Sequence, residues 1–549
     1  MSTSPVTRRE FLATGAIIGA TTTIAPLTLV AAKSKSGAAA SAAAAGNTAT
    51  TPIPVATSAG QAAGRAAFSG QPQPPVIRPM DKRPNILYII LEDSGPNYGC
   101  YGEPLVKTPN VDRVAAQGIR FANTFCACPV CSTSRSALFT GCYPIATGTH
   151  NHRTWDWNKR PLPPPARHVC DWFREAGYFT CNIKPPAGQG KPGGCNGAAG
   201  NGKIDLNFTI AGPTRETPFD GTDWNQRKKD QPFFAHITIF ETHTGLGWKI
   251  ARQQPKSELV DPGKLKLPPY YPDHPTARDD YANYLDAIHL VDGYVGQLLA
   301  RLEKENLAKD TIVVISADHG PLFRGKQFCY DNGLRIPLII RFPDGRAAGT
   351  VDDRLVSGVD IAPTLLGFAG IGLPPGAAHG QDLLAPNAPR RDHIFAGRDR
   401  MDESTDRMRV VRTARHKYIR NYYPMIPYMQ KNAYKEKNYP TWNLVKKLGR
   451  EGKLPPEAAL FAADRKPVEE LYDLQADPHE VKNLANNPAH LATLKQLRAL
   501  VDGWVRDTDD RGIIGDDPVD IFHGYYDHFP GDPAPEKAGG GGGGKKKKA

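Results

Sequence analysis

A chain of 549 residues, 40% hydrophobic and 23% charged, is long enough for two domains around a large buried core and ordinary in composition for a globular protein. Its formal charge of +12 is inflated at the ends: without the tail lysines and the first 32 residues it is +7. No basic run interrupts the remainder, which excludes a nucleic-acid partner held by a charged stripe.

The first 32 residues carry Thr7-Arg-Arg-Glu-Phe-Leu12 ahead of an apolar run from Ala13 to Ala32. This reads as a twin-arginine export signal, with the Tat translocase as a partner and a periplasmic or secreted destination. The run is rich in Gly, Thr and Ala, too weakly apolar for a good membrane anchor. Residues 33–82 lack a hydrophobic period and read as a flexible linker. Residues 531–549 form a Gly/Lys-rich tail of the same kind.

The folded part opens on Asn85-Ile-Leu-Tyr-Ile-Ile-Leu91, a continuous apolar run ending in Glu92-Asp93. Such a run predicts a strand buried on both faces, as in a parallel sheet. A helix is expected over Asn110 to Gln117, a strand from Ile119, a helix over Ala166 to Ala176 and a strand over Tyr178 to Ile183. Pro232 to Phe240 is a further buried strand, followed by Glu241, Thr242 and His243. The longest helix is predicted from Arg278 to Glu305, and Thr311 to Ala317 is a strand stopped by Asp318-His319-Gly320. Apolar strands thus alternate with helices, and polar clusters recur at strand C-termini. That pattern predicts a doubly wound, mostly parallel α/β sheet flanked by helices over residues 83–384, with its site beyond the strand ends. From 385 to 530 a hairpin (Met408 to Thr413, Lys417 to Asn421), a short strand at Glu470 to Leu474 and a closing helix over Leu491 to Val505 predict a smaller α+β domain.

The most informative stretch is Cys128-Pro-Val-Cys131-Ser-Thr-Ser-Arg135-Ser-Ala-Leu-Phe-Thr-Gly141. Ser132, Thr133 and Ser134 are good cap residues, so a helix is expected from about Arg135. A nucleophile at that place would face free N–H groups and the positive end of the helix dipole, with Arg135 as a cationic fork for an anion. Glu92, Asp93, Asp318 and His319, from two strand ends, are candidate metal ligands, and an oxygen-rich set suits calcium or magnesium.

These residues resemble the sulfatase signature, Cys-x-Pro-x-Arg followed by Leu-x-Thr-Gly, within the alkaline phosphatase superfamily. The resemblance extends in order over residues 83–505, through Leu355 to Leu366 and Glu470 to Glu480. Ala396-Gly-Arg-Asp-Arg-Met-Asp-Glu403 further looks like bacterial relatives of heparan N-sulfatase. It implies that a maturation enzyme oxidises Cys131 to formylglycine, whose hydrated aldehyde attacks the sulfur of a sulfate ester. It implies a divalent cation, most simply Ca2+, on Glu92, Asp93, Asp318 and His319. It gives Lys203, in Gly-Asn-Gly-Lys-Ile-Asp205, and Lys326 to the sulfate, and His243 to the leaving alcohol or amine. The chain departs from the family at three places: Thr133 stands for the usual proline, Glu92 for an Asp, and Asp205 for a His that serves as base. His150 and His152, in Thr-His-Asn-His-Arg153, could supply the missing base or contact substrate.

The function the resemblance implies is release of inorganic sulfate from a sulfated carbohydrate, by cleavage of an ester or a sulfamate. Three other readings stay open. One is a phosphodiesterase or phosphonate monoester hydrolase on the same scaffold. Another is a non-catalytic glycan-binding protein whose Cys131 is never converted. The third is a thiol oxidoreductase using Cys128-x-x-Cys131. The chain carries nine cysteines, an odd count that would become even once Cys131 is modified. The segments 185–202 and 423–455 are the expected rims of a substrate cleft.

Overall fold

The computed structural model describes residues 82–154, 158–183, 202–210 and 217–521. The export signal, the linker as far as residue 81, the tail from 531, Cys195 and positions 185–201 of one expected rim lie outside the described residues.

The expected buried strands form as runs without polar alternation. Asn85–Leu91 (β1), Phe233–Ile239 (β4) and Thr311–Ala317 (β5) are buried at every position. β1 runs parallel between β4 and β5, with Tyr88 opposite His236 on one side and Val314 on the other. Phe179–Asn182 (β3) adds in parallel outside β4. Arg335–Arg341 (β6) runs antiparallel to β5 and to Ile119–Phe125 (β2), and Thr350–Ser357 (β7) is parallel to β2. The order is β3-β4-β1-β5-β6-β2-β7, so β6 alone runs against the rest. The carboxyl ends of β1, β2, β4 and β5 therefore open on the same edge, the doubly wound arrangement expected from the sequence.

Each face of the sheet has its own helix layer. Leu87, Ile89 and Leu91 pack with Val111 and Val114 of Pro109–Ala116 and with Tyr284, Leu285, Ile288 and Val291 of the long helix Pro275–Lys304. Ile86, Tyr88 and Ile90 pack with Leu138 of Cys131–Thr140, Phe173 of Val169–Glu175 and Leu365 of Ile361–Phe368. The apolar stripe of the long helix follows the predicted i, i+3, i+4 spacing. The helix expected from Ala166 starts only at Val169, where the His168 side chain accepts the Cys170 N–H.

A second, antiparallel sheet has the order β11-β10-β9-β8, from His393–Arg398 (β8), Met408–Thr413 (β9), His416–Asn421 (β10) and Glu469–Asp473 (β11). Leu494, Leu497 and Val501 of Leu491–Asp507 cover Val411, Tyr418 and Leu471 on it. Ile394, Met408, Val410 and Ile419 join the apolar cluster of the large sheet.

Two core histidines are expected to weaken the fold in acid. His168 stacks on Phe139 at 5.2 Å and His236 on Phe219 at 5.9 Å. Burial, reinforced by Arg174 for the first and Arg135 for the second, pushes both down to about 3. Both rings are neutral in the fold but protonate near 6.5 once unfolded, so the unfolded chain holds more protons between those limits. Their stabilisation is fully present above pH 6.5 and declines as pH falls, by about 1.4 kcal/mol per pH unit for each ring. Urea midpoints are expected to fall steadily from pH 6.5 to 4.5. A flat profile over that interval would contradict the assignment.

A candidate anion and metal site at the strand ends

The helix that carries Cys131 begins earlier than its cap residues suggest. Cys131 is its first residue and Val130 its N-cap, with no side-chain cap. Ser132, Thr133 and Ser134 lie inside the first turn, and their hydroxyls serve tertiary contacts instead. Ser132 Oγ accepts the Arg153 N–H at 2.9 Å, and Ser134 Oγ donates to the Asp318 carbonyl at 2.5 Å. Thr133 Oγ1 donates to the His150 carbonyl at 3.4 Å and accepts from Asn207 at 3.3 Å. The helix is thereby fastened to the end of β5 and to the segment around Lys203. Gly141, at φ +72°, closes it.

Four elements then converge on the Cys131 sulfur. Asp93 follows β1 and lies with its Oδ1 3.7 Å from Sγ. His319 follows β5, and its Nε2 lies 3.2 Å from Sγ and 3.2 Å from Asp93 Oδ1. The His319 Nδ1–H donates to the Gly320 carbonyl at 2.9 Å, which turns Nε2 toward the sulfur. Asp318 Oδ1 accepts the backbone N–H groups of Asp93 at 2.9 Å and His319 at 3.0 Å. Gly320 permits this corner, since a Cβ there would meet the Asn332 carbonyl oxygen at 1.9 Å. The donor atoms of Asp93, Cys131, Asp318 and His319 all lie within 4.8 Å of one another.

Glu92 stands apart from that cluster. Its extra methylene carries the carboxylate to Arg135 and Lys203, which occupy its two oxygens. It groups with Asp93 and His243 rather than with Asp318 and His319. Of the four metal ligands expected from the sequence, three thus gather around Cys131 and the fourth holds cations. Arg135 meets protein groups here. Its Nε donates to Asp318 Oδ2 at 3.2 Å and its Nη1 to Thr238 Oγ1 at 2.9 Å, so the fork clamps carboxylates together.

The remaining cations complete the charge balance. Lys326 donates to both Asp93 oxygens, at 3.1 and 2.9 Å, and faces His243 Nε2 at 3.2 Å. Tyr434 Oη donates to the same Nε2 at 3.2 Å, while the His243 Nδ1–H donates to the Thr244 carbonyl at 2.9 Å. Burial and then Lys326 press His243 down to about 3. Burial would raise Glu92 and Asp93, but the cations outweigh it: Arg135 and Lys203 hold Glu92 well below the carboxylate range, and Lys326 holds Asp93 down. Asp318 is raised, by burial and then by Glu92. Burial pushes the Cys131 thiol well up.

A second trio shares this sulfur. Cys131, His152 and Asp205 bring donor atoms within 4.8 Å of one another. His152 Nδ1 lies 3.0 Å from Asp402 Oδ1, and burial takes this ring down to about 4. Lys203 reaches Asp205 at 3.3 Å. His152 thus joins Cys131, whereas His150 lines a small cavity with Thr133, Ile145, Asp399 and Trp504. Asp402, Tyr434 and Asp205 as a partner of His152 were not legible from sequence. Asp93, Arg153, Asp205 and Asp402 all have left-handed backbone, φ 43° to 50°. This is a sparsely populated region for non-glycine residues, and such backbone clusters at functional sites.

The donor set fits a divalent cation. Asp93, Asp318 and His319 are buried, face one another and are oriented by hydrogen bonds from behind.

Residues 84–371 match the family model Sulfatase, and residues 318–441 match the model N-sulphoglucosamine sulphohydrolase, C-terminal. An ulvan-active sulfatase of Formosa agariphila is 34% identical over 480 residues, 80% of this chain and 76% of that protein. Among solved structures, a 2-O GAG sulfatase aligns with TM-score 0.56 at 21% identity, over 80% of this chain and 96% of that one. The phosphonate monoester hydrolase of Silicibacter pomeroyi aligns with TM-score 0.54 at 19% identity, over 78% and 97%. These two structures share the fold.

Proposed function

The chain belongs to the sulfatase family, and from that premise we propose that it releases inorganic sulfate from a sulfated polysaccharide or oligosaccharide. The observation that carries this reading is Cys131 at the first position of a buried helix, ringed by Arg135, Lys203, Lys326 and the Asp93–Asp318–His319 cluster. The relatives' names, ulvan-active and 2-O GAG sulfatase, support an anionic polysaccharide as the substrate class. The match of residues 318–441 supports a sulfamate as a further candidate bond.

Conversion of Cys131 to formylglycine by a maturation enzyme would supply an oxygen nucleophile toward sulfur, and a divalent ion, calcium by preference, would polarise the sulfate oxygens. The chain's own residues do the rest. Lys203 and Lys326 neutralise sulfate charge from two sides, and Arg135 keeps Glu92 and Asp318 ionised and in place. His243, once the negative charge of a bound sulfate ester brings its ring into the protonated state, donates from Nε2 to the departing oxygen or nitrogen. An arriving sulfate adds negative charge beside this ring and opposes the effect of Lys326 on it. His152, backed by Asp402, takes the position of the family's missing base beside Asp205. The twin-arginine segment supports export in the folded state by the Tat translocase to the periplasm or beyond.

The test is peptide mass together with product analysis. Protein co-expressed with a formylglycine-generating enzyme is expected to show a Cys131 peptide lighter by roughly 18 Da. It should also release sulfate from a sulfated-glycan panel. The shared fold with a phosphonate monoester hydrolase motivates the same assay on phosphonate monoesters. Faster turnover of those, with no sulfate release, would overturn the sulfatase reading. An unmodified thiol with retained glycan binding would make the protein a binder.

A further inference from the structure

We infer that the chain with an unconverted Cys131 binds zinc or a similar transition metal through Asp93, Cys131, Asp318 and His319, with the cysteine as thiolate ligand. Sulfur and imidazole nitrogen beside two carboxylates form a donor set suited to such an ion, and calcium has little use for a thiol. The spacing of Asp93, Cys131 and His319 agrees as well, and Asp318 places a donor within 4.8 Å of all three. A tetrahedral zinc with Zn–S of about 2.3 Å and Zn–N or Zn–O of about 2.0–2.1 Å separates sulfur from the lighter donors by about 3.5 Å, and those from each other by about 3.3 Å. In the structure Sγ lies 3.2 Å from His319 Nε2 and 3.7 Å from Asp93 Oδ1, and these two lie 3.2 Å apart.

The donors are also oriented as metal ligands are. The Gly320 carbonyl takes the His319 Nδ1–H, which leaves the Nε2 lone pair aimed inward. The Asp93 and His319 N–H groups and Arg135 fix the Asp318 carboxylate from behind. On binding, one proton leaves, that of the Cys131 thiol, and a sulfur–metal bond replaces the S–H···Nε2 contact. Two carboxylates and a thiolate then exceed the charge of a divalent ion by one, which Lys326 and Arg135 offset. Conversion of Cys131 removes the sulfur, so metal preference should shift toward hard, oxygen-seeking cations as the protein matures. Zinc held by the thiol would in turn occupy the atom that maturation must oxidise.

The experiment uses the full chain produced without a formylglycine-generating enzyme, stripped of metal by a chelator and titrated with Co2+ and Zn2+. One equivalent of Co2+ should raise an intense near-ultraviolet sulfur-to-cobalt absorption, and one equivalent of Zn2+ should abolish it. Cys131→Ser, with its fold checked by circular dichroism and melting, should lack the band and bind zinc about 100-fold more weakly. Cys128→Ser should keep both properties. Cobalt bound to the wild-type chain without this band would overturn the proposal, as would unchanged zinc affinity in C131S. His319→Gln repeats the affinity comparison should the serine variant fail to fold. These readouts involve no sulfate ester, so the metal site can fail while the sulfatase reading stands, and the reverse.

Discussion

Arg135→Met is expected to destabilise the protein by about 3–5 kcal/mol, the usual loss when one partner of a buried ion pair is removed. Arg135 is fully buried, and it ties Glu92, Asp318 and Thr238 together. A methionine fills similar volume but leaves two carboxylates facing each other in a dry interior. Lys203 can still neutralise Glu92, whereas the Asp318 Oδ2 loses its charged partner. Asp318 is already raised by burial and by Glu92, so the variant should take up a proton there and lose the orientation of the β5 corner. Arg135→Lys keeps the charge without the planar fork and should recover only part of the loss. Urea unfolding at pH 7.5 makes the comparison. A loss below about 1 kcal/mol for the methionine variant would mean that the carboxylates are hydrated and the clamp is not needed.

His243→Ala, in protein converted at Cys131, should slow sulfate release by a factor that depends on the leaving group. For a sugar sulfate, whose alkoxide must be protonated as it departs, a loss of about 100- to 10,000-fold is expected. For an aryl sulfate with a nitrophenol leaving group, which departs as an anion, the loss should be about tenfold or less. The contrast follows from where Nε2 lies: 3.2 Å from Lys326 and from Tyr434 and 3.9 Å from Asp93 Oδ2, within reach of a group leaving the Cys131 cluster. Steady-state rates on the two ester types decide it. Equal losses on both would remove His243 from proton transfer and make it a prop for Lys326. Tyr434→Phe, which deletes one hydrogen bond to the same ring, should retain the leaving-group contrast with a smaller effect.

How far the site was legible depended on the distance over which each interaction acts. The apolar runs of β1, β4 and β5 and the stripe of the long helix could be read directly, because burial on both faces or on one face leaves its own period in the chain. The polar residues behind those strands were legible for the same reason. The Cys131 helix starts before Ser132, Thr133 and Ser134, whose local chemistry points to them as its caps. Their hydroxyls are drawn instead to Arg153, His150, Asn207 and Asp318.

The sequence by itself determined the class of sheet, the edge on which a site must form, and most of the charged groups that gather around Cys131. Only the tertiary structure decided how those charges pair: Glu92 with cations instead of the Asp318–His319 corner, Arg135 as a clamp, and His152 in preference to His150. It also brought Asp402 and Tyr434 from the far part of the chain to within hydrogen-bonding reach of site histidines. The physical reason is that periodicity records whether a residue is buried, whereas the partner of a buried charge is set by which strand ends and turns the fold brings within a few ångströms.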